Sequence, residues 1–201
     1  MNIPVRAAVL WTPKFRPSDI LGLVGWWKLD EVSGTLGDSS GQGYTGTASG
    51  GPTYGVAGQV RYAMQFDGVD DYVGMGDVLD FERTSPFSIA TWYKAAAASP
   101  TTAQMLVSKQ DATTPFSGYS LAIRGDAADD PLRFSLTNTI TTNQIRVEFA
   151  RTNDTAWHHV VVTYDGSSVA AGVTAYVDNA SKVLTIAVDN LTATTLTAIA
   201  F

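Results

Sequence analysis

The stretch Tyr119-Ser120-Leu121-Ala122-Ile123-Arg124 decides the fold, because large apolar side chains alternate in it with small or polar ones. Residues 132–137 and 145–150 repeat this alternation. Successive side chains of a β-strand point to opposite faces of the sheet, so each segment predicts a strand with one buried and one solvent-exposed face. Antiparallel sheets commonly expose one face in this way. The three segments therefore predict an antiparallel sheet.

Two further segments, 158–164 and 183–188, carry apolar residues at successive positions, and we expect them to be central strands or strands covered on both sides. Turns are marked by Asp67-Gly68, by Asp165-Gly166 and by the glycine-rich stretch 41–58. The sequence shows neither an alternation of strands and helices nor an internal repeat. We predict an all-β fold, a two-sheet antiparallel β-sandwich of jelly-roll type, with residues 21–201 as a single domain.

Residues 1–20 differ from the rest of the chain, and we predict that they form an extended N-terminal arm. The arm contains three prolines and three basic residues: Pro4, Pro13, Pro17, Arg6, Lys14 and Arg16. Its aromatic residue, Trp11, is predicted to contact a partner. The apolar run 7–11 is shorter than the core of a secretory signal peptide, so export would need another route, such as assembly into a phage particle.

The bulk composition excludes several classes of partner. The 201 residues carry a formal net charge of -6, which disfavours the phosphate backbone of nucleic acids and anionic membrane surfaces. No apolar run approaches the roughly 18 residues of a membrane-spanning helix. Cysteine is absent, so disulfides are excluded. We therefore expect neither a nucleic acid nor a membrane as partner.

Short motifs follow one another in a fixed order along the chain. They are Gly25-Trp26-Trp27-Lys28-Leu29-Asp30-Glu31, Ser33-Gly34, Asp38-Ser39-Ser40-Gly41, Phe66-Asp67-Gly68-Val69-Asp70-Asp71-Tyr72-Val73, Phe87-Ser88-Ile89 with Trp92, and Trp157-His158-His159-Val160 running into Tyr164-Asp165-Gly166. This ordered series resembles the laminin G-like branch of the concanavalin A-like lectin/glucanase superfamily, over about residues 22–186. The resemblance implies a jelly-roll sandwich, a fold that carries enzymes, lectins and adhesion modules alike.

The final strand motif of that family has no counterpart after Tyr176-Val177-Asp178-Asn179. Residues 197–201 are strand-like and apolar, and an open apolar edge favours association. We expect that the native chain continues beyond Phe201, or that the arm fills the gap, or that a neighbouring subunit adds a strand. The last alternative predicts a homo-oligomer or a larger assembly.

Catalysis is disfavoured by the scarcity of glutamate. Retaining glycosidases need two carboxylates about 5 Å apart, and the resemblance implies that glucanases of this fold take them from a Glu-x-Asp-x-Glu type of strand. The chain has three glutamates, Glu31, Glu82 and Glu148, and no two are close in sequence. His158 and His159 are adjacent in a predicted strand, so they point to opposite faces and cannot share a metal; we expect one to be buried and the other to face outward. We predict that the protein is not an enzyme.

Calcium is the inorganic cofactor to consider, since it takes oxygen ligands from acidic loops. One loop carries Asp30, Glu31 and Asp38, and a second carries Asp67, Asp70 and Asp71. The resemblance implies a structural calcium near the first loop, with Glu31 and Asp38 as the first candidate ligands. The alternative is that these side chains cap turns by hydrogen bonding to their own backbone.

Aromatic side chains are the candidates for contacts with sugars, because the apolar face of a pyranose matches an aromatic ring. Four tryptophans lie inside the family motifs and are predicted to be core residues: Trp26, Trp27, Trp92 and Trp157. The loop residues Tyr44, Tyr54 and Phe116 remain as candidate ligand-binding residues.

We therefore expect a non-catalytic binding or interaction module that recognises a glycan or protein partner at a surface, as part of a larger assembly. The alternative is a phage virion structural protein, a capsid decoration or tail component anchored by its arm. A second alternative, a glycoside hydrolase, is disfavoured by the glutamate positions. These roles place the protein outside the cell or on a virion surface.

Overall fold

The computed structural model describes residues 20–125, 127 and 129–197, and within them thirteen β-strands and one short 3-10 turn, Ala170–Gly172. Residues 1–19 of the predicted arm, with Trp11, lie outside the described residues, as do residues 198–201. Within the described part of the chain, no helix has both the length and the apolar character needed to cross a bilayer.

Two antiparallel sheets form the body of the molecule. The four-stranded sheet has the order β12-β11-β10-β5, and its strands are β5 (Phe87–Lys94), β10 (Trp157–Tyr164), β11 (Val173–Val177) and β12 (Ala180–Ser181). The five-stranded sheet has the order β13-β9-β8-β7-β6, and its strands are β6 (Gln104–Gln110), β7 (Gly118–Ile123), β8 (Leu132–Thr139), β9 (Asn143–Phe149) and β13 (Thr185–Asp189). Two small two-stranded sheets pair β1 (Thr47–Ser49) with β4 (Tyr72–Gly74) and β2 (Thr53–Ala57) with β3 (Tyr62–Gln65).

The core lies between the two large sheets. The ring of Phe87, on β5, lies 5.2 Å from the ring of Tyr119 on β7 and 6.1 Å from that of Phe134 on β8. Leu121, Phe134 and Val160 are fully buried in the same cluster. Aromatic pairs at these separations contribute beyond their burial alone. The predicted all-β, two-sheet antiparallel sandwich is confirmed.

The two segments with apolar residues on both faces have different positions. The first forms β10, which lies between β5 and β11 and is central, as predicted. The second contributes to β13, which is an edge strand, so the prediction of a central or covered strand was wrong for it. Ile186 of β13 is 55% exposed, and the register slips between Ile186 and Val188. A short apolar run does not by itself distinguish a central strand from a bulged edge strand.

The alternating pattern of β7, β8 and β9 predicts one face of the sheet correctly and the other face incorrectly. The large apolar side chains face the core, as predicted. On the other face Ser120, Ser135 and Gln144 are at most 6% exposed, so the prediction of a solvent-exposed face was wrong there. The reason is that small side chains on this face stand beside the long side chains of Arg133 and Arg146. This second buried face contains the candidate site.

The segment that follows β13 is held by side chains instead of a strand ladder. Thr195 is 2% exposed, and its hydroxyl donates to the carbonyl of Phe81 at 3.0 Å. The carboxylate of Glu82 accepts from the hydroxyl of Thr194 and, at 3.3 Å, from the backbone N–H of Thr195. Burial would raise the pKa of Glu82, but these hydrogen bonds lower it. The described end of the chain is thus fastened to the loop before β5.

Candidate functional site

Small side chains on neighbouring strands form the floor of a groove on the outer face of the five-stranded sheet. Ser108, Ser120, Ser135 and Arg146 are successive register partners across β6, β7, β8 and β9, so they form one row. At the start of β7, only glycine fits at position 118, because an added Cβ would lie 1.9 Å from the carbonyl oxygen of Lys109. The low floor leaves a cavity of about 200 Å³.

The wall of the groove is apolar on the side of its loops. Phe116, Ile140 and Met105 all line the cavity. The N–H of Ile140 donates to the carbonyl of Pro115 at 3.0 Å, which joins the turn between β8 and β9 to the loop that carries Phe116. Met105 is 60% exposed, so the groove reaches the surface at this residue. An apolar wall above a polar floor is typical of a small-molecule site.

Three buried polar atoms on this face of the sheet have no hydrogen-bond partner: Gln144 Nε2 and Arg146 Nε, whose residues line the cavity, and Thr137 Oγ1 beside them. Thr137 pairs with Gln144 in the register of β8 and β9, and Ser135 pairs with Arg146, so the four side chains form one block. Buried polar atoms are nearly always hydrogen-bonded, and leaving one unpaired costs about 1–3 kcal/mol. Within the described residues such side-chain atoms number five; three of them are on this face, and two of those belong to residues that line the groove.

The same face carries three arginines. One oxygen of Glu148, Oε1, accepts from Arg124 Nη1 at 2.9 Å and from Arg133 Nε at 3.2 Å. Arg146 makes no ion pair with any of the described residues. Burial lowers the pKa of Arg133, and the neighbouring charges of Arg124 and Arg146 lower it further, while Glu148 opposes the shift.

The predicted ligand-binding residues do not form one site. Phe116 lines the groove, whereas Tyr44 and Tyr54 are absent from its lining. The hydroxyl of Tyr54 donates to the carbonyl of Gly34 at 2.7 Å, and the carbonyl of Tyr44 accepts from Trp27 Nε1 at 2.5 Å. Both tyrosines therefore support the N-terminal loops. Ligand binding by any of the three stays a prediction.

The carboxylate of Asp38 is engaged by hydrogen bonds within its own loop, and calcium binding by Asp38 stays a prediction. Its Oδ1 accepts from the backbone N–H groups of Trp26 at 3.0 Å and Ser40 at 2.8 Å. Its Oδ2 accepts from the hydroxyl of Ser40 at 2.8 Å and the N–H of Tyr44 at 3.2 Å. Burial would raise the pKa of Asp38, but these four hydrogen bonds lower it. Asp38 therefore acts as the cap of its own loop.

The other acidic residues leave the calcium prediction untested. Glu31 Oε1 accepts from the N–H of Gly37 at 3.0 Å, and its Oε2 is buried without a partner. In the second loop, one carboxylate oxygen each from Asp67, Asp70 and Asp71 lies within 4.8 Å of the others. Two of these carboxylates already accept loop N–H groups. Calcium at either loop stays a prediction.

The prediction that the four motif tryptophans are core residues was wrong, because Trp27 and Trp157 are half-buried and outside the core cluster and the other two are exposed. Trp92 is 47% exposed and Trp26 is 38% exposed. On β5, Phe87 and Tyr93 face the core, so Trp92 belongs to the opposite face, where it stacks on His159 with ring centroids 5.0 Å apart. The period-two pattern that starts at Phe87 already contains this information.

A family model for laminin G-like domains, described as concanavalin A-like lectin/glucanases superfamily, matches residues 67–199. The match includes both large sheets and the whole groove, and it begins later than the motif series. No curated protein matches the chain. Laminin G-like domains are generally non-catalytic binding modules and typically extracellular. With two thirds of its length matched and a two-sheet sandwich in place, the chain belongs to the concanavalin A-like lectin/glucanases superfamily.

Proposed function

We propose that this domain is a non-catalytic module that binds a saccharide in the groove of the five-stranded sheet. The observation that carries the proposal is the block of buried, unpaired polar atoms of Thr137, Gln144 and Arg146 beside the cavity. A bound saccharide would supply the missing hydrogen-bond partners. Pairing these atoms on binding removes their desolvation cost, which favours the complex over the free protein.

Two features support a saccharide over other small molecules. The superfamily description itself names lectins and glucanases. Phe116 stands in the wall beside the polar floor, so one face of a sugar ring could lie on an aromatic surface while its hydroxyls reach the floor. The cavity of about 200 Å³ is below the roughly 300–1,000 Å³ of sites for drug-sized ligands, which suits a single sugar unit.

Binding without catalysis is supported by the residues around the cavity. Retaining and inverting glycosidases both need a pair of carboxylates across the scissile bond. None of the described residues that line the cavity carries a carboxylate. Glu148 lies on the same face, but both Arg124 and Arg133 bind its Oε1. The groove therefore offers hydrogen-bond donors and no acid–base pair.

The setting of the module is a further part of this proposal. We place it outside the cell, which is typical of laminin G-like domains, or on a virion surface. The alternative role as a virion component depends on residues 1–20, of which the structure describes Ile20, and association into a homo-oligomer depends on the segment after Asn179. That alternative stays a prediction. It is tested by deleting residues 1–19 and measuring incorporation into the assembly.

The proposal is tested by filling the floor of the groove. Ser135→Leu adds bulk at a floor position that is 6% exposed, and Ser88→Leu makes the same change at an exposed position of β5. We expect the unaltered protein to retain saccharides on a glycan array, Ser88→Leu to bind equally, and Ser135→Leu to lose binding at least tenfold. Absence of any bound saccharide, or binding that survives Ser135→Leu in a folded protein, would refute the proposal.

A further inference from the structure

We propose that the groove selects an acidic saccharide, one that carries a carboxylate or sulfate group, and that Arg146 and Gln144 bind this group. The inference rests on the proposed saccharide site and goes beyond it by naming the chemical class of the ligand. It follows from the type, the arrangement and the charge of the side chains in the groove.

The unpaired nitrogen atoms are of one type. Arg146 Nε and Gln144 Nε2 are both N–H donors, and neither can accept a hydrogen bond. Thr137 Oγ1 can donate as well. A group that satisfies all three must present several acceptor oxygens close together. Carboxylate and sulfate groups do so, and hydrogen bonds between charged partners are about twice as strong as neutral ones.

The arrangement of the donors suits a single small group. Gln144 and Arg146 are two residues apart on β9, so their side chains leave the same face of the sheet. Thr137 and Ser135 stand directly opposite them on β8. Side chains at directly opposed positions have Cβ atoms about 4.5–5.5 Å apart. An anionic group that lies on this face over the paired strands β8 and β9 would therefore be near the donors of both strands.

The charge of Arg146 is unmatched in the direction that an anion corrects. One carboxylate oxygen of Glu148 forms ion pairs with both Arg124 and Arg133, with N–O distances of 2.9 and 3.2 Å. The guanidinium of Arg146 has no carboxylate partner among the described residues. A half-buried guanidinium of this kind is stabilised when a ligand supplies the opposite charge. A neutral sugar would satisfy the hydrogen bonds and leave the charge unmatched.

The chain carries a net charge of -6, so the electrostatic field of the whole protein does not attract an anionic ligand. The preference for an acidic saccharide therefore has to come from contacts inside the groove. Contacts that exclude water are screened by salt less than contacts at the surface. We therefore expect a moderate loss of affinity between 50 and 300 mM NaCl, well below that of a polyanion on a basic surface.

The test compares matched neutral and acidic sugars on the full chain. The probes are immobilised galactose, galacturonate and galactose 6-sulfate, with glucose, glucuronate and glucose 6-sulfate as a second series. The variants are Arg146→Gln, Arg146→Lys and a control, Arg61→Gln, which removes the same charge from a side chain that is 70% exposed in the turn between β2 and β3. Thermal melts confirm that each variant is folded.

We expect at least one acidic sugar to bind tenfold or more tightly than its neutral parent. Arg146→Gln should abolish that preference, Arg146→Lys should retain part of it, and Arg61→Gln should leave it unchanged. The carboxylate and sulfate probes show which anion is preferred. Equal binding of neutral and acidic sugars, or a preference that survives Arg146→Gln, would overturn the inference and leave the saccharide site intact. Failure of every probe and of a broad glycan array would instead refute the proposed function, and this inference with it.

Discussion

The imidazole of His158 and the carboxylate of Asp178 are directly joined, with Nδ1 lying 2.7 Å from Oδ2. The other ring nitrogen, Nε2, lies 2.9 Å from Oδ1 of Asp154. His158 is 7% exposed and belongs to the inner face of β10, whereas His159 stacks on the exposed Trp92 on the outer face. The two histidines therefore face opposite ways, as the sequence predicts. An imidazole between two carboxylates has a hydrogen to offer each of them only when it is protonated.

This arrangement predicts a pH-dependent contribution to stability. Burial would lower the pKa of His158, but the hydrogen bonds to Asp178 and Asp154 raise it above its ordinary value of 6.5. A histidine whose pKa is raised in the folded protein stabilises the fold fully below pH 6.5. This stabilisation is lost as the pH rises through the pKa of the folded state. The pKa values of Asp154 and Asp178 are lowered from 3.8 by their hydrogen bonds to His158, so their contribution is lost only in more acidic solution. The contribution is therefore largest between about pH 4 and pH 6.5.

The measurement is urea unfolding of the unaltered protein and of His158→Gln between pH 4 and pH 9. We expect the difference in unfolding free energy to be greatest near pH 5 and to shrink above neutrality. Burial raises the pKa of the neighbouring Tyr93 to about 12, so this tyrosine does not titrate in the range. A difference that stays constant with pH would contradict the prediction.

Because Trp92 is exposed, we expect its removal to lower the free energy of unfolding only slightly. Trp92→Ala should cost at most about 1 kcal/mol, the value of an exposed aromatic stack. Phe87→Ala is the matched comparison on the same strand and should cost about 3–5 kcal/mol, because Phe87 is 9% exposed and packs between the sheets. Chemical denaturation measures both values. Equal costs would place Trp92 in the core and contradict the structure.

The loop of Asp38 predicts a loss of stability when its carboxylate is removed. Asp38→Ala leaves the N–H groups of Trp26, Ser40 and Tyr44 without their acceptor and should cost about 1–2 kcal/mol. Asp70→Ala removes a carboxylate from the second acidic loop and serves as control, with an expected change within about 0.5 kcal/mol. Both are compared by thermal melts in calcium-free buffer. Indistinguishable melts for the two variants would show that Asp38 is not a structural cap.

The attachment of the final described segment predicts local opening when Glu82 is altered. Glu82→Ala removes the acceptor of Thr194 and of the N–H of Thr195. We expect faster amide hydrogen exchange at residues 194–196 and unchanged exchange in β7, since local segments open independently of the core. Because the pKa of Glu82 is lowered, the attachment in the unaltered protein should persist until the pH falls through that lowered value. Unchanged exchange at these residues would show that other contacts hold the segment.

Much of the fold could be predicted from local patterns, because period-two alternation is a property of single strands. The segments 119–124, 132–137 and 145–150 correspond to β7, β8 and β9 within two residues at each end. The groove could not be predicted in this way. Gln144 and Arg146 occupy positions that alternation assigns to solvent, and they are brought beside Thr137 and Ser135 by the pairing of β8 with β9. Register between strands depends on contacts that no single segment contains.

The aromatic residues show a second limit. Motif membership suggested that Trp92 was buried, whereas its position relative to Phe87 on the same strand shows the opposite. Phe116 could be proposed as a ligand contact because it is an aromatic residue in a loop, and it does line the groove. Tyr44 satisfied the same criterion and lies in an N-terminal loop away from the groove, whereas Tyr54 was predicted to be in a loop and lies on β2. Loop aromatics thus identify candidates, and only the fold separates those that share a cavity.

The row Ser108, Ser120 and Ser135 has a consequence for how this domain can change over generations. Ser120 and Ser135 line the groove and have their side chains on the face away from the sandwich core, so their replacement alters the depth of the groove without changing which residues pack between the two sheets. The residues that keep the protein folded and those that shape its outer face are alternate members of the same strands. Variation at these serines can therefore reshape the groove while the scaffold is inherited intact.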